Sequence, residues 1–462
     1  MTTSISVRRH PAAAAVSVAV DAGVTDMSDS KQRSISAKLA AATCALLGTT
    51  AAAPVDAQEE PRWDFNTSLL YYGEDDDRVQ DVSFKSIIRR LYADDRTLSL
   101  GLTVDTLTGA TPNGAIRQDG PQSFTRPSGS GAYTESAGEL PLDDTFKDTR
   151  VAITAGWQQP SGERGLLSAG FSASNEYDYL HLGVNASYAY DFNNRNTTLS
   201  AGFAFANDSI EPVGGAPMPL TNMLDVGDTS NREGDQDKDV LDLVLGVSQV
   251  ISKNLVVQAN YSFSQSDGYL NNPYKVLSLV DEDTGDTLPN VPGPNGGPSG
   301  QFLFESRPDE RTQHSLYTQA KYYMNGKVLD ASYRYMTDDW EIDSHTLDFR
   351  FRFPFGEANY LEPHVRFYTQ NEAEFYRLSL DGSALLPPFA SSDYRLGNFD
   401  GITVGLKYGW KTRNDNDMSV RAEWYQQSGS IPAEQFIGNQ SSRDNYPDLN
   451  AVILQFSYRF SR

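Results

Sequence analysis

Between Trp63 and Phe460 apolar side chains recur at every second position within roughly sixteen segments of about 10 to 16 residues. In 345–353, Leu347, Phe349, Phe351 and Phe353 share one parity, while Thr346, Asp348, Arg350 and Arg352 share the other. Successive side chains of a strand point to opposite faces, so one face here is greasy and the other charged. The alternation returns at 98–104, 199–205, 255–263, 402–410 and 452–460, and no helical period fits these runs.

The linkers separate a membrane barrel from a soluble sandwich. Even-numbered joints are tight, at 92–94, 160–163, 191–194, 252–253, 325–326, 356–357 and 413–415, whereas odd-numbered joints include long stretches at 108–146, 208–237, 267–309, 371–395 and 428–447. Short periplasmic turns, long external loops and an even strand number define outer-membrane barrels. The spacing therefore predicts an all-β, antiparallel transmembrane β-barrel of about 16 strands, with fourteen to eighteen the range the segments allow. The count rests on splitting 164–190 into a hairpin at 175–178. It also accepts 358–370 as a strand although Pro363 cannot donate to the ladder.

No run of 18 apolar residues exists, which excludes a helical span. Residues 1–57 read as an N-terminal extension plus signal peptide, with Met27 the better start. Lys31, Arg33 and Lys38 precede the apolar stretch 39–53, and Val55-Asp56-Ala57 predicts cleavage before Gln58. Residues 58–462 form the barrel, delivered to the outer membrane. The sole cysteine, Cys44, falls in the leader and lacks a lipobox, so the mature chain is expected to carry no disulfide. The chain has 38 basic and 61 acidic residues, a net charge of −23. The three longest loops concentrate the acidity, which argues against nucleic acid as a partner and suits solubility or cation bridging to lipopolysaccharide.

If the greasy parity meets lipid, the other meets the lumen, and that face is two-sided. Strands three to nine offer small groups such as Ser99, Gly101, Thr103, Gly156, Gly183 and Gly202. Later strands offer Arg334, Asp348, Arg350, Arg352, Glu362, Arg366, Lys407, Arg421 and Glu423. An Arg or Lys placed under lipid costs about 2 to 4 kcal/mol at the midplane, so these charges belong in water or in pairs. One reading is a stiffening ladder of ion pairs such as Asp330 with Arg352 or Arg366 with Glu362. The other is a basic strip facing an acidic inserted loop across a constriction. The 39-residue segment 108–146 is expected to fold inward against the small-residue wall and narrow the pore.

Catalytic and metal signatures are weak. A lipid-facing phospholipase needs serine and histidine in H-x-S spacing along one strand, whereas His314-Ser315 and His345-Thr346 point to opposite faces. Asp235, Asp237 and Asp239 resemble the start of a calcium loop, but Val240 stands where glycine is required. No enzyme activity, metal or cofactor is expected.

The stretch LSLGLTVDTLTGATPNGA at 98–115, with DTR at 148–150, EYDY at 176–179 and NTTLS at 196–200, resembles the bacterial family called domain of unknown function 3570. The resemblance runs over nearly the whole mature chain and implies an outer-membrane barrel without an established activity. It also hints at a periplasmic redox or export partner. Physically, Gly109, Pro112, Asn113 and Gly114 are turn formers that anchor the long loop. Asp105 and Arg150, of lumen parity on neighbouring strands, are expected to pair. Val452, Leu454, Phe456, Tyr458 and Phe460 form the terminal strand read by barrel-assembly machinery, although Ser461 and Arg462 follow it. The expected function is a passive or gated porin-like channel for small polar solutes. The alternative is a non-conducting sleeve, and an embedded hydrolase is a remote third.

Overall fold

A computed structural model describes residues 61–462, apart from 76–77, 127–130, 290–300 and 357 and the side chains of 143–147. The expected leader, its cleavage site and Cys44 lie outside the described residues.

Sixteen antiparallel strands close into one barrel. In chain order β1 to β4 are Arg62–Glu74, Gln80–Leu91, Thr97–Pro112 and Leu142–Ser161. Strands β5 to β8 are Gly165–Asn175, Tyr179–Phe192, Thr197–Ile210 and Gln236–Ser252. Strands β9 to β12 are Leu255–Gly268, Glu310–Met324, Lys327–Asp338 and Asp343–Phe355. The last four, β13 to β16, are Asn359–Gln370, Asn398–Lys411, Asp417–Ser430 and Leu449–Ser461. The split of 164–190 is real, with the turn at 176–178 between β5 and β6.

Closure joins β1 to β16, with Phe65 opposite Phe460 and their rings stacked at 4.6 Å. The two residues after Phe460 extend this seam. Trp63 N–H donates to the Arg462 carbonyl at 2.6 Å, and Arg462 N–H returns a bond to Trp63 at 2.8 Å. Pro363 is tolerated because the β12–β13 pairing lapses at that point. Register runs from Arg350↔His364 to Phe353↔Leu361 without bridging the two positions between, as expected where a residue lacks an N–H.

The tight ends are set by local chemistry. Asn325 and Gly326 take φ of 46° and 85° between β10 and β11, the paired left-handed geometry that matches strand twist in a two-residue hairpin. The outer face exposes Leu69, Leu100, Ile153, Val184, Phe203, Leu245, Leu347, Phe367, Leu406 and Leu454. A closed barrel satisfies its backbone internally, and this apolar belt is what a bilayer requires of its surface.

At the opposite end the long loops fold together. Val276–Val280 pairs antiparallel with Phe302–Phe304 and parallel with Leu380–Asp381, while Gln122–Thr125 and Ala132–Glu135 form a hairpin. Phe124, Ile116, Leu277, Val280 and Phe302 are fully buried among these loops. Each such side chain contributes about 1.5 to 3 kcal/mol, which lets the loops hold as a folded unit rather than as separate mobile arms. Loop residues Tyr394 and Tyr446 pack on Leu70 and Tyr72 of β1 and on Leu449, Ala451 and Ile453 of β16. Those barrel residues have lumen parity, so the loop assembly folds over this mouth of the barrel as a plug.

Candidate functional site

Two features occupy the lumen: a charged cluster on β11 to β15 and the plug above it. The cluster follows from register. Asp348 lies directly opposite Arg366, Arg350 opposite His364, His364 opposite Gly405, and Gly405 opposite Glu423. Arg366 Nε donates to Asp348 Oδ2 at 2.8 Å, and Arg350 Nε lies 3.4 Å from Asp348 Oδ1. His364 bridges two carboxylates, with Nε2 2.9 Å from Asp348 Oδ2 and Nδ1 2.7 Å from Glu423 Oε1. Both ring nitrogens thus face acceptors, the arrangement a doubly protonated ring satisfies. The Glu423 contact skips a strand, which the missing side chain at Gly405 permits. A Cβ placed there would meet Glu423 Cγ at 2.4 Å.

The remaining members take other partners. Arg421 lies 3.9 Å from Glu423, Arg334 Nε donates to Ser315 Oγ at 2.9 Å, and Arg352 stands over the Tyr360 ring at 3.6 Å. Lys407 is opposite Glu362 in register. The expected pairs Asp330–Arg352 and Arg366–Glu362 are corrected. Asp330 meets Lys321 at 3.3 Å and Gln319 at 2.8 Å, and Arg366 goes to Asp348. Residues four apart on one strand are separated by roughly 13 Å, too far for Arg366 to reach Glu362. The ladder is a braced network, with surplus positive charge among its nine members.

The loop-anchor candidates make the following contacts. Arg150 holds Asp105 through Nε at 2.8 Å and Nη2 at 2.5 Å, and Ser83 Oγ also donates to Asp105. Gly109 has φ 128°, where the β3–β4 register shifts and a Cβ would meet the Arg78 carbonyl at 2.2 Å. The Pro112 carbonyl accepts from Lys275 Nζ. Asn113 Oδ1 caps the Ala115 N–H at 2.8 Å, and Gly114, at φ 100°, sits against Ser392 Oγ and the Val276 carbonyl. Residues 113–116 therefore turn towards Val276, Ser278 and Ser392 of neighbouring loops. The segment then packs on other loops rather than on the small-residue wall. Thr125 Oγ1 donates to the Leu224 carbonyl at 2.6 Å, Ile116 joins Val280 and Leu378, and Asp119 faces Arg443 at 3.2 Å.

Sequence reasoning missed the plug's buried electrolyte, formed by Lys275, Glu305, Arg307, Asp393 and Arg395. Arg307 Nε lies 2.7 Å from Glu305, its Nη2 lies 2.8 Å from Asp393, and Arg395 Nη2 lies 2.5 Å from Asp393. Burial pushes the Asp393 carboxyl up, yet Arg395, Lys275 and Arg307 together hold it well below the usual carboxylate range. Burial drives the Lys275 amine down to about 8 against the pull of Asp393. Nothing in 267–309 or 371–395 read alone signals this meeting, because the charges come from separate loops.

A family model described as protein of unknown function (DUF3570) matches residues 36–460. No curated protein matches the chain. Among solved structures, a bacterial polysaccharide outer membrane secretin is similar at 11% identity and TM-score 0.41, covering 88% of this chain and 100% of the other. OccK5 (OpdH) of Pseudomonas aeruginosa is similar at 10% identity and TM-score 0.39, covering 88% and 100%. The siderophore receptor PirA from Acinetobacter baumannii is similar at 8% identity and TM-score 0.39, covering 81% and 54%.

Proposed function

The chain belongs to the family described as protein of unknown function (DUF3570), and from that premise we propose that this outer-membrane β-barrel is a loop-gated channel for small polar solutes. The observation that carries the reading is a folded plug seated over a lumen lined by charged and small polar side chains. Transport requires the plug to shift as a unit, since its apolar clusters tie several loops together. Export through a leader cleaved before Gln58, insertion through the terminal strand and cation-bridged lipopolysaccharide around the acidic loops complete the proposal. N-terminal sequencing of the outer-membrane form tests the first of these.

Planar-bilayer recording tests the channel. Intact protein is expected to give small or infrequent steps, and deletion of residues 118–140 is expected to enlarge them by removing Phe124 and Tyr133 from the plug. The same buried plug core favours a second reading, a sealed sleeve for a periplasmic redox or export partner. Silence of both proteins, with a partner co-purifying, decides for the sleeve.

A further inference from the structure

The small-residue wall carries a constellation that the channel reading does not use. One ladder rung runs through Ala152, Ser174, His181, Asp208 and Lys238 on β4 to β8, all of lumen parity. His181 Nδ1 lies 2.7 Å from Asp208 Oδ1, and His181 Nε2 lies 3.0 Å from the hydroxyl of Ser172 on the next rung of β5. Asp208 is buried and held by Tyr179, whose hydroxyl donates at 2.5 Å, and by Lys238 Nζ at 3.0 Å. Ser172 and His181 are only partly covered.

We propose that Ser172, His181 and Asp208 form a lumen-facing hydrolytic triad acting on polar, water-borne carboxylic esters. A nucleophilic hydroxyl needs an adjacent base, and that base needs a third group fixing its tautomer. The contacts supply both in the required order, with the Nδ1 proton directed to Asp208 and the Nε2 lone pair to Ser172. Gly183, directly opposite Ser172, keeps the approach open. A Cβ there would lie 2.6 Å from Ser172 Oγ and 3.1 Å from His181 Nε2. The site opens to the aqueous side, so its substrate is a soluble ester and not a bilayer acyl chain. The neighbouring glycines, serines and alanines leave room for an acyl group.

The chemistry balances with water as the only co-reactant. Ser172 Oγ bonds to the ester carbonyl carbon while its proton passes to His181 Nε2. The carbon–alkoxide bond then breaks, and the alcohol leaves with that proton. Water attacks the acyl-serine, again through His181, releasing the acid and restoring Ser172. Backbone N–H groups here are committed to the ladder, so a side chain must meet the oxyanion, and the Ser174 hydroxyl stands in the same rung as His181. Asp208, Tyr179 and Lys238 are positioning residues.

The test is covalent labelling of folded protein in detergent with a water-soluble fluorophosphonate, followed by peptide mapping. Label is expected on Ser172 and not on Ser174. It should be abolished by Ser172→Ala and slowed about 100-fold by His181→Ala or by the better-packed His181→Gln. Asp208→Asn is expected to slow labelling and to change its pH profile, which loss of a structural hydrogen bond alone would not do. Ser172→Cys, probed with a small methanethiosulfonate, measures access. An unreachable cysteine overturns the proposal. So does a reachable one in a chain whose native Ser172 is unlabelled, or labelling indifferent to His181.

Discussion

Arg307 and Asp393 stand 86 residues apart in sequence, yet guanidinium and carboxylate meet at 2.8 Å inside the plug. Their loops leave the barrel from β9 and β13, so the pair ties distant sectors of the rim together. Breaking a buried pair by removing one partner strands the other charge and costs about 3 to 5 kcal/mol. Asp393→Ala takes from Arg395 the carboxylate it is paired with and leaves Arg307 with Glu305 alone. Limited proteolysis is expected to cleave 269–309 and 371–397 in this variant while the barrel stays intact. Loops as resistant as in the parent protein would show that the apolar clusters alone seat the plug.

At the foot of the first long loop, Asp105 and Arg150 are direct cross-strand partners. Arg150 is 40% exposed, which keeps the value of the pair near that of a surface bridge, up to about 1 kcal/mol. Asp105→Arg and Arg150→Asp should each lower the urea midpoint of the folded barrel, because each sets like charges face to face. The double exchange should restore most of the loss. A double variant no better than the sum of the singles would rule out pairing.

The plug also has a pH dependence with a definite sign. Tyr274 covers Asp178 in the turn between β5 and β6 and donates to its carboxylate. Burial raises Asp178 to about 6, with nearby Asp148 adding to it and the Tyr274 bond opposing. A carboxyl whose value is higher when docked binds its proton more tightly in that state, so acid favours docking as pH falls from about 6 towards the ordinary value near 4. Lys275 behaves oppositely. Lowered to about 8 by burial, it favours the folded plug as pH rises from about 8 towards its ordinary value. Channel conductance is therefore expected to peak between pH 6 and 8 and to fall on either side. Asp178→Asn should remove the acid limb, and an acid limb that survives the change would assign it elsewhere.

The parity of apolar residues was enough to read the strand count and the wet face, whereas the direct opposition of Asp105 and Arg150, on strands joined by the long segment 108–146, comes from the register. Pair assignments within the ladder needed the register itself. Asp348 meets Arg366 only because β12 and β13 pair with a fixed offset. The plug was not legible, since Ile116, Val280 and Leu378 lie in three separate loops with no period to relate them. The contact of Ser172 with His181 crosses a hairpin diagonally, so a search along one strand passes over it. Pairing residues of lumen parity across the 176–178 turn would have brought the two together.

Gly405 gives the most local test of the charged cluster. Glu423 reaches His364 across the backbone of β14, over a residue with no side chain. In Gly405→Ala the new methyl would sit 2.4 Å from Glu423 Cγ, so the carboxylate must swing away and His364 Nδ1 loses its acceptor. Leaving a buried donor unmet costs about 1 to 3 kcal/mol. The urea midpoint, followed by tryptophan fluorescence, should fall accordingly. Gly401→Ala on the same strand is the control, since its Cβ would meet nothing closer than the Tyr425 side chain at 3.3 Å. Glu423→Gln in the Gly405→Ala background should add little further loss, because the carboxylate no longer engages the histidine. Full additivity of those two changes would mean that Glu423 stabilises the barrel through Arg421 rather than through His364.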